Sequence, residues 1–299
     1  MHLDRTDLDL VHALQADGRL TYEALAGRVG LSRVATRARV QRLLDEGLVR
    51  IVGVVHPVVL GRTSMAHLSI AVDGPAAPVA RAVADRSESV FVTMTAGRAP
   101  VVAELRAADF TALADAIAAV RRLPGVRAVD TVPYTHVLKD PYTPSRDPDP
   151  IDLDDLDRQI LEALQPDGRM PFAELAQHIA LSPGATRART LRLLDAGVFR
   201  VAALVRPGTL GLGQLVGFAL RLTDPAATLP EIVAHPSIQF VAACVGRADA
   251  VGTVGADSTE DLLTALDQLR TLPGVHDLET WLHLEMIKER YDTHLLNTR

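Results

Sequence analysis

The chain of 299 residues writes one message twice, and that duplication restricts its possible folds more than any other feature. "LDRTDLDLVHALQADGR" at 3–19 is echoed by "LDDLDRQILEALQPDGR" at 153–169. "LSRVATRARVQRLLDEGLVR" at 31–50 returns as "LSPGATRARTLRLLDAGVFR" at 181–200, an offset of 150 positions (181 − 31). "LG" at 60–61 returns at 210–211, "GRA" at 97–99 at 246–248, and "LPGV" at 123–126 at 272–275, the last two offset by 149 (246 − 97). A collinear series with one single-residue slip is a tandem duplication. The period is far too long for a solenoid repeat. Each copy is the size of a small protein. Between the copies runs "KDPYTPSRDPDP" (139–150), whose four prolines favour an extended, semi-rigid spacer.

Each copy opens with three short helical patterns. Leu8, Leu10, Val11 and Leu14 recur at helical spacing within 4–16, and "DGR" at 17–19 breaks the run. Thr21 is placed to cap "YEALAGRV", with Glu23 in the first turn and Gly30 at the end. Ser32 is placed to cap a third helix over 33–46, which Gly47 closes. Two helices joined by "VGLS" form the helix-turn-helix pattern. On the third helix Thr36, Val40, Leu43 and Leu44 share one face, so Arg33, Arg37 and Gln41 point away from it and Arg39 flanks it. An apolar back with long hydrogen-bonding side chains in front, near a helix N-terminus, suits a helix that reads a DNA groove. Arginines on an amphipathic helix are more commonly just a solvated face. The capped turn, and the return of "ATRAR" in the second copy, favour the groove.

After the third helix "LVRIVGVV" (48–55) reads as a strand leaving the helical domain. A strand over 67–72, a helix over 76–86, strands over 89–96 and 100–107, a helix over 109–122 and a strand over 126–138 then give a β-α-β-β-α-β order. The second copy repeats it at 215–222, 226–235, 238–244, 248–255, 258–271 and 275–287. The fold class is α+β: two copies of a winged helix-turn-helix domain, each followed by a ferredoxin-like βαββαβ domain. Two helices cover one face of a four-stranded sheet, so the other face needs a partner sheet, which the second copy can supply.

Several chemistries find no foothold. The net charge of −6 argues against a uniformly basic nucleic-acid coat but leaves room for local basic patches. Lysine occurs only at 139 and 288, so arginine carries nearly all the positive charge, a bias that fits a GC-rich bacterial genome. The single cysteine, Cys244, excludes an intramolecular disulfide or a multi-cysteine metal site, and a buried, inert thiol is the expectation. The ten histidines do not cluster at metal-ligand spacing; His136 and His283 read as sheet residues at the same place in the last strand of each copy. No phosphate loop, serine elbow or dinucleotide-binding motif stands in the sequence, and neither metal nor cofactor is expected. Acids occupy "MHLDRTDLDL" where a secretory signal would be basic, and "PGTLGLGQLVGFAL" (207–220) is too short and glycine-rich to span a bilayer. A cytoplasmic chain with no membrane partner is expected.

Residues 3–50 and 153–200, with their opening leucine-aspartate, "DGR" and "LS…R", resemble the DNA-binding half of the Lrp/AsnC family of bacterial transcription regulators. The β-α-β-β-α-β half, with "GRAD" at 246–249 and "LPGV" before the last strand, resembles that family's amino-acid-responsive ligand domain. The implied order is a helix-turn-helix domain over 1–62, a ligand-binding and assembly domain over 63–138, a linker over 139–152, and the same pair over 153–212 and 213–299. Family members are usually single units that dimerise through their sheets, with dimers assembling further. The resemblance therefore implies two units fused in one chain that carries both reading heads, with double-stranded DNA and an amino-acid-like effector as partners and self-association beyond the single chain.

The resemblance puts DNA contacts on Ser32, Arg33, Val34, Arg37, Arg39 and Gln41 of the first copy and on Ser182, Arg187 and Arg189 of the second, where Pro183, Gly184 and Leu191 replace Arg33, Val34 and Gln41. It puts the effector near Gly246, Arg247 and Asp249, and near Gly97 and Arg98 of the first copy, which has Pro100 where the acid would stand. An amino acid offers an ammonium that needs an acceptor, so the second copy is the expected binder. The rival within the same superfamily is an enzyme: sirohaem decarboxylases resemble this architecture and occur as paired or fused copies. They are expected to bring histidine to the cavity around the second and third strands, and "SVFVTMTAGRAPVVAELR" and "IQFVAACVGRADAVGTVG" hold none.

Overall fold

The computed structural model describes residues 3–142, 147–205, 214–256 and 258–289. They divide into two compact units that do not follow chain order: 3–60, 142 and 147–205 form one, and 61–141, 214–256 and 258–289 form the other. The two helical heads thus belong together, as do the two sheet domains. The expected domain boundary at 212–213 lies outside the described residues.

In the head unit the first copy contributes α1 (Arg5–Ala16), α2 (Tyr22–Val29), α3 (Arg33–Asp45) and β1 (Val49–Val55). The second contributes α6 (Asp155–Leu164), α7 (Phe172–His178), α8 (Pro183–Asp195) and β6 (Phe199–Val205). The caps form where expected: Thr21 accepts from the Ala24 N–H and Ser32 from the Ala35 N–H, while Gly30 and Gly47 are left-handed. The strand expected to leave each head instead ties the heads together. β1 and β6 pair antiparallel, with Val49 opposite Val205, Val52 opposite Ala202 and Val55 opposite Phe199.

The duplicated "DGR" explains why the pairing is tight. Asp17 and Asp167 accept from the Arg19 and Arg169 N–H groups, folding each tripeptide into an Asx turn. Each turn then reaches the other copy's strand, Gly18 donating to Val201 O and Gly168 to Ile51 O, both at 2.9 Å. A Cβ at Gly168 would fall 2.7 Å from the Val52 carbonyl carbon, so this approach admits no side chain. Arg19 donates to Met170 O and stacks on Phe172; Arg169 donates to Leu20 O and stacks on Tyr22.

The sheet unit holds β2 (Ser64–Val72), α4 (Ala76–Ala84), β3 (Ser89–Ala96), β4 (Val101–Ala107), α5 (Phe110–Arg121) and β5 (Val126–Lys139) from the first copy. The second supplies β7 (Gln214–Leu222), α9 (Pro225–Ala234), β8 (Ile238–Cys244), β9 (Ala250–Ala256), α10 (Thr259–Thr271) and β10 (Val275–Glu289). The expected face-to-face sandwich is closed further. All eight strands form one continuous sheet in the order β10-β3-β4-β2-β5-β8-β9-β7. The two long last strands make the closure. β5 pairs with β2 through Pro133 and then with β8 from Tyr134; β10 pairs with β7 through Leu282 and with β3 from the same residue onward. Each long strand is thus paired by its own copy over its first half and by the other copy over its second.

The chain's two lysines secure this exchange. Lys139 Nζ donates to Val233 O and His235 O at the end of α9, and Lys288 Nζ donates to Ala84 O and Arg86 O at the end of α4. A cation on the last carbonyls of a helix satisfies orphan acceptors and suits the helix dipole. Each lysine does this for the other copy's helix.

Candidate nucleic-acid interface and effector turns

Helix α3 buries Thr36, Val40 and Leu43 against its head and exposes Arg33, Val34, Arg37 and Gln41. Val34 is 80% exposed, far outside what packing requires. Arg33 and Arg37, one turn apart, make no hydrogen bond or ion pair among the described residues. Gln41 Nε2 donates to Asp45 at 2.8 Å. In α8 the exposed front holds Pro183, Gly184 and Arg187, with Arg187 similarly unengaged and Leu191 half-buried. Ser32 and Ser182 are spent on the caps, each accepting from the backbone three residues on.

Arg39 and Arg189 depart from expectation. Arg39 binds Asp4 at 2.6 Å and Asp7 at 2.9 Å, and Arg42 binds the other oxygen of Asp7 at 2.6 Å. The second copy repeats the cluster, with Arg189 on Asp154 and Asp157 and Arg192 on Asp157. Asp7 and Asp157 are 1% exposed and also close the capping boxes that start α1 and α6. The Arg39 bond holds the Asp4 carboxyl below the usual range and raises the arginine; for Asp154 the Asp157 N–H acts first, then Arg189. These two arginines anchor the third helix to the first. The sequence signal for this lay in the acids that both copies place at the start of their first helix.

In the sheet unit, Gly97 and Arg98 lie in the turn after β3, and Gly246, Arg247 and Asp249 in the turn after β8. The two arginines converge on one pair of acids. Arg98 binds Asp130 at 2.9 Å and Glu279 at 3.3 Å, and Arg247 binds Asp130 and Glu279 at 2.6 Å each. Asp130 and Glu279 hold the same place in β5 and β10, opposite Ser69 and Ala219 respectively. Gly97 is glycine because a Cβ would lie 2.9 Å from that of Trp281. Gly246 is exposed at φ 112°, a left-handed turn position. Asp249 accepts from the Leu222 N–H at 2.8 Å, lies 3.8 Å from the Arg221 Nε and is 29% exposed. Arg221 braces this turn through Gly246 O and Arg247 O.

The inner face of the closed sheet holds polar residues on one side that sequence reading did not bring together. His67 shares a 3.1 Å hydrogen bond with Ser69 and packs 5.2 Å from the Trp281 ring; His283 meets Thr93 at 3.3 Å. Burial pushes His67 down to about 3 and His283 down to about 4, so both are neutral. Trp281 Nε1 and His283 Nε2 are buried without a hydrogen-bond partner among the described residues. Glu104 pairs with Arg106 at 2.7 Å, and burial raises its carboxyl. At the equivalent places the second copy has Gly217 and Ala219 for His67 and Ser69, and Thr253 for Glu104, by strand register. Register also corrects the pairing of the late histidines. His283 lies opposite Thr95 as Tyr134 lies opposite Cys244, so its counterpart is Tyr134 and not His136. Cys244 is buried and its thiol is pushed up to about 12 by desolvation, as an inert cysteine should be. No cluster of three or more metal-ligating side chains occurs among the described residues, and no helix among them is long and apolar enough to cross a membrane.

Comparison with known proteins accords with this geometry. The AsnC-type helix-turn-helix domain matches residues 3–44 and again 153–194, and the Lrp/AsnC ligand binding domain matches 216–293. The HTH-type transcriptional regulator FL11 of Pyrococcus abyssi is 29% identical over 142 residues, covering 46% of this chain and 94% of its own. The HTH-type transcriptional regulator AldR of Mycobacterium tuberculosis is 32% identical over 151 residues, covering 48% and 84%. Such relatives correspond to one copy. The siroheme decarboxylase NirDL, a solved structure, shares the fold over 98% of this chain and 95% of its own, with a TM-score of 0.66 and 15% identity. The chain belongs to the Lrp/AsnC family, with two of its helix-turn-helix domains in one polypeptide.

Proposed function

We propose that the chain is a sequence-specific DNA-binding transcriptional regulator acting as a single-chain pseudo-dimer and responding to an amino acid or a related small molecule. The observation that carries this reading is the set of exposed, unengaged arginines on the fronts of both third helices: Arg33 and Arg37 on α3, Arg187 on α8. Arginine can bind one guanine edge with two hydrogen bonds or grip phosphate, and a helix N-terminus adds a phosphate site. Ser32, Ser182, Arg39 and Arg189 serve by holding the helices. Val34 offers an apolar contact of the kind that suits a thymine methyl. The cytoplasm is the compartment such a regulator needs.

For the effector, Asp249 is the acceptor for an ammonium, in a turn whose Gly246 and Arg247 carbonyls are braced by Arg221. The first copy has Pro100 there and offers none. One effector per chain follows, and assembly of chains through this region fits the family's habit. The test is binding of the purified chain to DNA upstream of its own gene, titrated in salt with and without mixed amino acids. Steeply salt-dependent binding that shifts with an amino acid supports the reading. No binding at low salt overturns it.

A second reading has its own observation. His67, His283 and Trp281 face the inside of the closed sheet, two of them with unsatisfied nitrogens. Together with the fold shared over the whole chain with a siroheme decarboxylase, this motivates a reading of tetrapyrrole chemistry on that face. A bound or titrated tetrapyrrole detected by absorbance would favour the enzyme.

A further inference from the structure

We propose that the two heads read unequal half-sites, so that the chain binds an asymmetric operator in one fixed orientation; this rests on the regulator reading above. The first head specifies its half-site through Arg33 and Arg37, and the second holds a permissive half-site through Arg187.

The scaffold behind the two helices is the same. Ser32 and Ser182 cap with the same geometry, Thr36 and Thr186 are fully buried at the same place, and Arg39 and Arg189 are drawn back onto matching aspartates. The fronts are not the same. Arg33 is the first residue of α3, and Arg37 lies one turn further on the same side, so two guanidiniums are presented together. On α8 the first two positions are Pro183 and Gly184, which have no hydrogen-bonding side chain, and only Arg187 remains. Gln41, itself turned to Asp45, has Leu191 as its counterpart. Since a guanidinium can select guanine through O6 and N7, losing one of two removes discrimination from one base position of the second half-site. The β1–β6 pairing joins the heads in one compact unit, so the strict and permissive helices keep a fixed order on the duplex.

A homodimer cannot do this, because identical protomers impose a palindrome. A fused chain is released from that symmetry, and the two fronts show the release in use.

The experiment is selection of binding sites from random duplex DNA by the full chain, repeated with Arg33→Ala and with the double variant Pro183→Arg/Gly184→Val. The double variant copies the first head's front onto the second. A Cβ at Gly184 meets nothing within 4 Å, and Arg33 already shows that arginine is accepted at this first helical position, so the graft is expected to fold; a thermal melt checks each variant. The native chain should return one well-defined half and one degenerate half. Arg33→Ala should weaken binding to that site by about 5- to 140-fold and relax the defined half alone. The double variant should return a more symmetric site. A native site with two equally defined halves, or a defined half unchanged by Arg33→Ala, overturns the asymmetry while leaving the regulator intact. Failure to enrich any duplex, with no salt-dependent binding, overturns both.

Discussion

Copy one and copy two agree where they answer each other and where each head holds its third helix, and differ on the helix fronts and in the sheet interior. Arg19 and Arg169, Gly18 and Gly168, and Lys139 and Lys288 each make the same contact with the opposite copy. The Asp–Arg clusters behind the third helices match almost to the distance. The helix fronts do not match, and neither does the interior of the closed sheet, where one side carries His67, Ser69 and Glu104 and the other Gly217, Ala219 and Thr253. Fusion removes the demand that protomers be identical, but reciprocal contacts restore it locally. A lysine that caps its partner's helix has a counterpart doing the same, whereas an interior residue has only to fill a shared space.

The interior offers the strongest test. Trp281 stands where the first copy has Val132, and its indole lies over Gly217, where a Cβ would come within 2.0 Å of Nε1. Trp281→Ala should cost about 3–5 kcal/mol in urea denaturation, because a large cavity opens in a face that cannot collapse onto glycine. Val132→Ala should cost about half as much or less. Equal losses would mean that the two sides of the interior are packed alike and that the asymmetry is cosmetic.

Next in size is a pair that should behave identically. Asp7→Asn and Asp157→Asn each remove the charge shared by two arginines at a nearly fully buried site. Each should lose about 2–3 kcal/mol, less than a fully buried pair because the arginines stay partly hydrated. Side-by-side denaturation of the two variants checks this. A gap of more than about 1 kcal/mol between them would break the equivalence of the two heads.

Acid sharpens the contrast between the two sides of the sheet. His67 at about 3 and His283 at about 4 stay neutral in the folded chain, while in the unfolded chain they protonate near 6.5. Below pH 6.5 the unfolded state therefore binds more protons, and stability falls toward about pH 4 by about 1.4 kcal/mol per unit for each histidine. Glu289 works the other way: burial raises it to about 7, so its contribution is present below 4.5 and lost as pH rises through about 7. His67→Gln should remove about 1.4 kcal/mol per unit from the slope between pH 6 and 4.5, read from urea midpoints. An unchanged slope would mean that His67 is solvated.

Most of the element order was legible because it rests on local signals. Caps at Thr21 and Ser32, the left-handed glycines 30 and 47, and alternation in the strands are written within a few residues of where they act. Duplication then supplied a second reading of each element. What stayed hidden is non-local. Nothing in "LVRIVGVV" says that its partner lies about 150 positions away, or that β5 and β10 change partners halfway along. The two lysines, which in sequence only mark an arginine-rich composition, prove to be matched locks. For the candidate site, the third-helix face was legible from helical period, but the withdrawal of Arg39 and Arg189 was not, since periodicity gives direction and not partner. The convergence of Arg98 and Arg247 on Asp130 and Glu279 needed the closed sheet.

The smallest effect tests a place where the heads carry different residues under the same backbone demand. The turn between the second and third helices requires a left-handed residue in both copies: Gly30 at φ 68° in the first, Ala180 at φ 53° in the second. Ala180 is exposed, and a Cβ at Gly30 would meet nothing within 4 Å, so packing does not enter and the difference is conformational. Gly30→Ala should destabilise by about 1 kcal/mol, since a Cβ disfavours this region of backbone space. Ala180→Gly should stabilise by somewhat less than about 1 kcal/mol, because the glycine also gains freedom in the unfolded chain. Thermal melts of the two exchanges should therefore move in opposite directions. Movement in the same direction would mean that the second turn is held by something other than its own backbone, and that the heads differ in their scaffold as well as in their fronts.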